Sequence, residues 1–287
     1  MKVHVALLAV ALIYGASYSI AKSVMPDLIA PFGFILLRVI LGTLIFFTIL
    51  RQQGIERIKS KRDYLRLAVC GLFGIAANQL LFFKGLSMTS TISASVLMTS
   101  NPVIVLALSY FILKESVSAK KVIGVVLGLS GAILLIFRGE INWQEGAFLG
   151  NFLILMNSTC YAMYLILVKP LMYRYKALTV ISWVFLFGSF VVIPFGFREL
   201  IDVSWSTLPF RAWLSISYIV IFTTVFAYLL NAWSLKFVNP TTVSYYIYLQ
   251  PIFASLIALF MLEEKLETGM IIFTMMIFTG IYLVSKR

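Results

Sequence analysis

Two stretches of the chain decide its fold, because one is a copy of the other. The first, "LSMTSTISASVLMTSNPVIVLALSYFILKESVSAKKVIGVVLGLSGAILL", begins at Leu86, and the second, "LKFVNPTTVSYYIYLQPIFASLIALFMLEEKLETGMIIFTMMIFTGIYLV", begins at Leu235. At a shift of 149 residues three features match in the same order: Asn101-Pro102 with Gln250-Pro251, Glu115 with Glu264, and Gly131 with Gly280. The pattern predicts an internal repeat.

The start of each half repeats as well. "YGASYSIAK" (Tyr14–Lys22) aligns with "YAMYLILVK" (Tyr161–Lys169) at a shift of 147 residues. The repeat therefore extends over nearly the whole chain. We predict an N-terminal unit of residues 1–144 and a C-terminal unit of residues 145–287.

The composition places both units in lipid. Of the 287 residues, 61% are hydrophobic and 12% are charged, whereas soluble domains carry about 25% charged residues. Apolar runs of about 20 residues, long enough to cross a bilayer, recur ten times: Val3–Ala21, Phe32–Leu50, Leu65–Phe83, Ile92–Leu113, Val122–Phe137, Ala147–Val168, Ala177–Phe197, Phe210–Ala232, Thr241–Leu262 and Thr268–Val284. The composition excludes a soluble enzyme, a disordered chain and a secreted disulfide scaffold. It predicts an all-α polytopic membrane protein with ten transmembrane helices.

Each unit holds five of these spans, and an odd number of spans inverts the second unit relative to the first. Inverted five-helix repeats are typical of transporters, because two copies of one fold in opposite orientations can exchange outward-open and inward-open states. A duplication kept for stability alone is the alternative interpretation.

The charged residues predict the orientation in the membrane. The formal net charge is +12. Sixteen Lys and Arg residues fall on one side of the predicted membrane and six on the other, and Arg38 lies within the second span. Because cytoplasmic loops accumulate Lys and Arg, both termini are predicted to be cytoplasmic. The basic residues sit in short gaps between apolar runs, so we expect no nucleic-acid partner.

Carboxylates are missing from the predicted spans, and the two cysteines, Cys70 and Cys160, lie in different spans. All eleven Asp and Glu residues lie in or beside loops, and the single histidine is His4. Catalytic sites, proton relays and metal sites depend on carboxylate, histidine or cysteine groups held together. We therefore expect no enzymatic activity, no metal and no cofactor.

Neutral polar side chains do occur at depth, and they recur at helical spacing. In the first span, Tyr14, Ser17 and Tyr18 are three and four residues apart, so they share a helix face. Lipid penalises such a face, which should therefore point into the bundle. The predicted substrate-binding residues are Tyr14, Ser17, Tyr18, Arg38, Asn78, Gln79, Asn101, Asn157, Tyr161, Tyr228, Asn231, Tyr245, Tyr248 and Gln250.

Two interpretations of these polar faces remain open. In the first, they line a central cavity that suits amphipathic organic solutes better than bare ions. In the second, the polar groups only join neighbouring helices, or the tyrosines lie at the membrane interface.

Two interpretations also remain open for Arg38, and two for a pair of matched prolines. Arg38 lies roughly 10 Å inside the second span at 1.5 Å per residue. It either extends to the outer surface or meets a substrate carboxylate or phosphate. Pro102 and Pro251 occupy matched positions and should bend their spans, either as hinges beside the transport pathway or as static kinks.

Glycines in the fifth span leave the oligomeric state open. Gly124 and Gly128 have the Gly-x-x-x-Gly spacing, which permits close helix contact within one chain or between two copies. Both a monomer and a homodimer are compatible with the sequence.

Together these residues resemble the EamA-type branch of the drug/metabolite transporter superfamily. The resemblance covers the whole chain: each half has a segment ending in lysine (Lys22, Lys169), then a polar-Pro pair, a glutamate and a glycine in the last span. It implies a ten-helix inverted-repeat carrier of the bacterial inner membrane. Members move small metabolites, and often export amino acids or related compounds.

The sequence therefore predicts an integral membrane carrier that exports small organic metabolites by alternating access. Tyrosine, asparagine and glutamine side chains would hold the substrate near the bilayer midplane. The expected partners are a small-molecule substrate and the lipid bilayer. A non-transporting membrane scaffold, or a lipid-flipping subunit of a partner enzyme, is the alternative.

Overall fold

A computed structural model describes residues 2–89, 94, 97–114, 118–136, 147–254, 272, 275–276, 278–280 and 282–283. Within these ranges every regular element is helical. In chain order the helices are α1 (Lys2–Lys22), α2 (Pro31–Gln53), α3 (Lys61–Met88), α4 (Asn101–Leu113), α5 (Ala119–Ile136), α6 (Ala147–Arg174), α7 (Ala177–Ile201), α8 (Phe210–Ser234) and α9 (Pro240–Tyr245, followed by a 3-10 helix over Tyr246–Leu249).

Six of the described helices are long and apolar enough to cross a membrane. They are α1, α2, α3, α6, α7 and α8, and they coincide with the first, second, third, sixth, seventh and eighth predicted spans. The prediction of an all-helical, multi-span membrane protein is confirmed for this part of the chain. Parts of the fourth and ninth spans and most of the tenth, with Glu115 and Glu264, lie outside the described residues, so the number of ten helices stays a prediction.

The outer surface of the bundle is apolar. Large side chains such as Phe111, Phe148 and Phe190 are exposed on it. Buried polar groups, among them Asn101, Asn157 and Thr224, lie inside instead. This arrangement fits a lipid solvent, in which polar groups must find partners within the protein.

Helices α2 and α7 pack together along an extensive contact, and an acidic side chain joins their ends. The carboxylate of Glu199, near the end of α7, accepts hydrogen bonds from the backbone N–H groups of Phe32 (2.7 Å) and Gly33 (2.9 Å). These groups belong to the first turn of α2, where N–H groups have no partner within the helix. Glu199 therefore caps α2 from a neighbouring helix.

Replacing Glu199 with alanine should lower the melting temperature by about 5 °C, because two N–H groups lose their acceptor at a cost of roughly 1–2 kcal/mol. Thermal unfolding of the purified protein in detergent measures the effect. Asp202→Ala is the matched control, since Asp202 is exposed just beyond the same helix end. Equal melting temperatures for the two variants would contradict the cap.

Two helices contain a wider turn at matching positions. Leu72–Ala77 within α3 and Ile219–Phe226 within α8 are π-helical, and they begin 147 residues apart, which is the shift that aligns Tyr14 with Tyr161. A π-helical turn leaves backbone carbonyls without their usual α-helical partners. Asn78 directly follows the turn in α3, and the turn in α8 contains Thr223 and Thr224 and is followed by Tyr228.

The matched prolines also stand at changes of helix geometry. A turn at Thr99–Ser100 precedes Asn101-Pro102, so Pro102 lies in the first turn of α4. The 3-10 segment Tyr246–Leu249 precedes Gln250-Pro251. The sequence predicted a bend within a continuous fourth span; the structure interrupts the helix there. Pro102 therefore sits where its missing N–H removes no helical hydrogen bond.

Candidate functional site

A cavity lies at the centre of the bundle, between helices from both halves of the chain. Its volume is about 690 Å³, including the part that opens to solvent. The wall is formed by Val10, Ala11, Tyr14, Ser17 and Tyr18 of α1, Arg38 of α2, Asn78, Gln79, Phe82 and Phe83 of α3, Met98 just before the turn that precedes α4, Asn157 and Tyr161 of α6, Thr223, Tyr228 and Asn231 of α8, and Val243, Tyr246, Ile247 and Gln250 of α9 and its continuation.

Arg38 is the charged residue of this wall. Its side chain is 3% exposed and points inward, so it does not extend to the membrane surface. Nε donates to Thr224 Oγ1 (2.5 Å), Nη1 to Gln79 Oε1 (2.6 Å) and Nη2 to the Thr223 carbonyl (3.4 Å). The guanidinium carbon lies 5.5 Å from the centre of the Phe83 ring, a cation–π distance.

Gln79 links Arg38 to the tyrosine side of the cavity. Its amide nitrogen donates to Tyr228 OH and to Asn78 Oδ1, both at 2.6 Å. The Tyr228 hydroxyl in turn donates to the Gly74 carbonyl at 3.3 Å. One network thus joins α2, α3 and α8.

The two π-helical turns supply acceptors to this network. Gly74 belongs to the turn in α3, and Thr223 and Thr224 belong to the turn in α8. The Thr224 hydroxyl donates to the Ile219 carbonyl at 2.9 Å, and this leaves its oxygen free to accept from Arg38. The irregular backbone therefore lies where polar side chains can satisfy it, as the interior of a bilayer requires.

A pair of asparagines joins α3 to α6 next to the network. Asn157 Nδ2 donates to the Asn78 carbonyl (2.7 Å), and Asn78 Nδ2 donates to the Asn157 carbonyl (3.4 Å). Among the described residues, Asn157 Oδ1 and Thr223 Oγ1 have no hydrogen-bond partner although both atoms are buried. Both residues line the cavity.

Contacts between α1 and the α9 region flank the cavity. The Tyr18 hydroxyl donates to Gln250 Oε1 at 2.9 Å, and Tyr246 OH lies 2.6 Å from His4 Nδ1. Tyr161 OH accepts a long hydrogen bond (3.4 Å) from Asn231 Nδ2. Helices of the two halves therefore meet across the cavity through side-chain hydrogen bonds.

Eleven of the fourteen predicted binding residues line this cavity. Three do not: Asn101, Tyr245 and Tyr248. Asn101 donates to the Ser158 carbonyl at 2.8 Å, between α4 and α6. Tyr248 packs on Gly128 of α5, and its hydroxyl donates to the Val125 carbonyl at 3.4 Å. Asn101 and Tyr248 therefore take part in helix packing in this structure, and the role of all fourteen residues in substrate binding stays a prediction.

The ninth helix shows why the prediction missed part of its inward face. From this helix the prediction took Tyr245, Tyr248 and Gln250. Gln250 lines the cavity, and so do Val243, Tyr246 and Ile247, which the prediction did not include. A preference for polar residues left out Val243 and Ile247, because the cavity wall is partly apolar. The other wall residues that the prediction did not include are Val10, Ala11, Phe82, Phe83, Met98 and Thr223.

Glycines of α5 contact the same chain. A Cβ atom on Gly280 would lie 2.6 Å from the Gly124 carbonyl oxygen and 2.9 Å from the Gly128 nitrogen. The Gly-x-x-x-Gly spacing therefore serves close packing within one chain.

The fold and the cavity define a class: a multi-span, all-helical membrane protein with a polar, tyrosine-bearing chamber inside its bundle. The chain belongs to the EamA-like transporter family, which its sequence matches over residues 1–137 and 148–286. The resemblance found in the sequence is thereby confirmed, and the protein is a membrane transporter of this family.

Relatives and a solved structure agree with this assignment. The chain is 24% identical to the uncharacterized transporter YyaM of Bacillus subtilis, over 99% of this chain and 94% of the relative. It is 25% identical to an uncharacterized transporter of Archaeoglobus fulgidus, over 100% and 98%. A chain of known crystal structure superposes with a TM-score of 0.79 at 15% identity, over 99% and 96%. At that identity the likeness concerns the fold.

Proposed function

We propose that this transporter exports small organic metabolites, such as amino acids or related amphipathic solutes, by alternating access. The observation that carries the proposal is the cavity between the two halves, whose wall combines tyrosine, asparagine and glutamine groups with apolar side chains. Such a lining can bury an apolar body and orient it through a few polar contacts.

The same proposal includes two inverted five-helix repeats, residues 1–144 and 145–287. The matched π-helical turns and the matched polar-Pro pairs support it. In this arrangement Pro102 and Pro251 act as hinges, because a change of helix geometry precedes each of them. Rocking of one repeat against the other would open the cavity to either side in turn.

The location that we propose is the bacterial inner membrane, with both termini in the cytoplasm. The excess of Lys and Arg on the side of both termini supports this orientation. A cysteine at position 2 and another at Lys84, each probed with a membrane-impermeant thiol reagent in intact cells, tests it. Only the second should be labelled.

The transport proposal predicts saturable uptake by liposomes that contain the purified protein. Tyr228→Ala should reduce this flux by at least about tenfold, because Gln79 loses the hydroxyl that accepts its hydrogen bond and the cavity wall loses an aromatic side chain. Flux of a panel of radiolabelled amino acids is the measurement. No flux of any compound in a broad metabolite panel would overturn the proposal.

Tyr110→Ala is the matched control for this experiment. Tyr110 is an exposed tyrosine on α4 that does not line the cavity, so its loss should leave the flux unchanged. A scaffold or a lipid-flipping subunit, the alternative function, would tolerate Tyr228→Ala and Tyr110→Ala equally. Size-exclusion chromatography of both variants confirms that they fold.

A further inference from the structure

We infer that the solute carries a carboxylate, which Arg38 binds inside the cavity. The inference rests on the proposed function and specifies its substrate class: amphipathic organic solutes with one carboxylate head and an apolar body. It follows from the charge balance around Arg38, the geometry of its free N–H groups and the composition of the facing wall.

The first step concerns charge. Arg38 is buried among α2, α3 and α8, and no carboxylate oxygen among the described residues lies within 4.0 Å of its guanidinium. Its protein acceptors, Thr224, Gln79 and the Thr223 carbonyl, are all neutral. An arginine kept inside a membrane protein usually pairs with an opposite charge or serves a functional pathway. A bound anion would complete the pairing here.

The second step concerns geometry. A guanidinium has five N–H groups, and three of those on Arg38 are taken by protein acceptors. One N–H on each terminal nitrogen remains, and such a pair suits the two oxygens of a planar carboxylate. A phosphate dianion would bring more negative charge than this single cation matches, so the site favours a carboxylate.

The third step concerns the rest of the wall. Phe82, Phe83, Met98 and Ile247 offer apolar surface to the body of the solute. Asn157 Oδ1, on a side chain that is 1% exposed, and Thr223 Oγ1, on one that is 3% exposed, have no partner within the part of the chain that the structure describes. They can bond to a second polar substituent. The wall therefore fits a molecule with one anionic end, an apolar body and a hydrogen-bonding group.

Thermal shifts with matched pairs of small molecules test the inference. The pairs differ only in the head group: benzoate and benzamide, phenylacetate and phenylacetamide, L-leucine and L-leucinamide, L-phenylalanine and L-phenylalaninamide. At ~10 mM, at least one carboxylate should raise the melting temperature by about 3 °C, and its amide should not. Amides that stabilise as well as the carboxylates, or a lack of stabilisation by any carboxylate, overturn the inference.

Variants locate the effect at Arg38. Arg38→Met should abolish the preference for the carboxylate. Arg38→Lys keeps the positive charge but lacks the paired N–H donors of a guanidinium, and it should retain part of the preference for the carboxylate. If Arg38→Met does not fold, Arg38→Gln serves the same test. Lys84→Met removes an exposed cation outside the cavity wall and should keep the full preference; a loss there would assign the effect to general surface charge and overturn the site.

Liposome flux separates this inference from the carrier proposal. If the wild-type protein transports amides as fast as carboxylates, the carrier proposal is retained and the inference of a carboxylate site is overturned. If carboxylates bind in a way that depends on Arg38 but no compound is transported, the carboxylate site is supported and the carrier proposal is overturned. Carboxylate flux that Arg38→Met reduces at least tenfold, with amide flux unchanged, supports both.

Discussion

Replacing Gly188 with leucine is expected to lower the melting temperature by about 10 °C and to reduce the yield of folded protein sharply. Gly188 of α7 lies against α3 at Gly71. A Cβ atom on Gly188 would come within 2.5 Å of Ile75 Cβ and 3.1 Å of the Gly71 carbonyl oxygen. Neither neighbour can rotate away, so the helices must separate. Overpacking of this kind costs about 3 kcal/mol, equivalent to roughly 10 °C in a chain of this size.

The measurement is thermal unfolding in detergent together with the monodisperse yield from size-exclusion chromatography. Phe190→Leu is the control on the same helix, because Phe190 is exposed on the lipid-facing side and should change the melting temperature little. Gly188→Ala should fall between the two. If Gly188→Leu melted within 2 °C of the wild type, α3 and α7 would not approach as closely as described.

This crossing also bears on function. Ile75 belongs to the π-helical turn of α3, and Asn78 and Gln79 follow it directly. Any displacement of α3 from α7 therefore moves the amides that hold Arg38 and Tyr228. Gly188, which does not itself line the cavity, thus bears on the geometry of the cavity wall.

Much of the fold could be predicted from the sequence, because apolar runs and the internal repeat can be recognised from the residue order alone. The helix contacts did not follow in the same way. Gly71 and Gly188 are 117 positions apart and belong to no repeated motif, so nothing local marks them as neighbours. The π-helical turns were also unforeseen, because Leu72–Ala77 and Ile219–Phe226 are apolar runs like those around them.

For the cavity, helical spacing located most of the polar wall but not its apolar part. Asn78 and Gln79 are recognisable as polar residues within an apolar span. Phe82 and Phe83, one turn further on, have no sequence feature that distinguishes them from lipid-facing side chains. Whether a tyrosine faces a cavity or a neighbouring helix depends on local helix geometry. The 3-10 segment after Tyr245 sets that geometry, and composition does not reveal it.

The lysines at the ends of the two matched segments make the same structural contact in both halves of the chain. Lys22 Nζ donates to the Thr89 carbonyl at 2.9 Å, and Lys169 Nζ donates to the carbonyls of Leu235 and Val238. Lys22 and Lys169 are 147 residues apart, and Thr89 and Val238 are 149 apart. The same contact is therefore made twice, each time at the carboxyl end of a helix that contains a π-helical turn.

Lys169→Met should cost roughly 2–4 kcal/mol and lower the melting temperature by about 10 °C. Lys169 is 5% exposed, and its ammonium satisfies two carbonyls at the end of α8, where carbonyls lack helical partners and a positive charge is favourable. Methionine retains the apolar length of the side chain but donates nothing, so both carbonyls lose a charged donor in a water-poor environment.

Lys22→Met is the matched control, and it should cost only about 1 kcal/mol. Lys22 is only partly buried and donates to one carbonyl, so its replacement leaves one acceptor unpaired and not two. Thermal unfolding of both variants in detergent gives the comparison. If the two lysines contributed equally, burial would not determine the strength of this repeated contact. If Lys169→Met melted like the wild type, the ammonium would not be holding the end of α8.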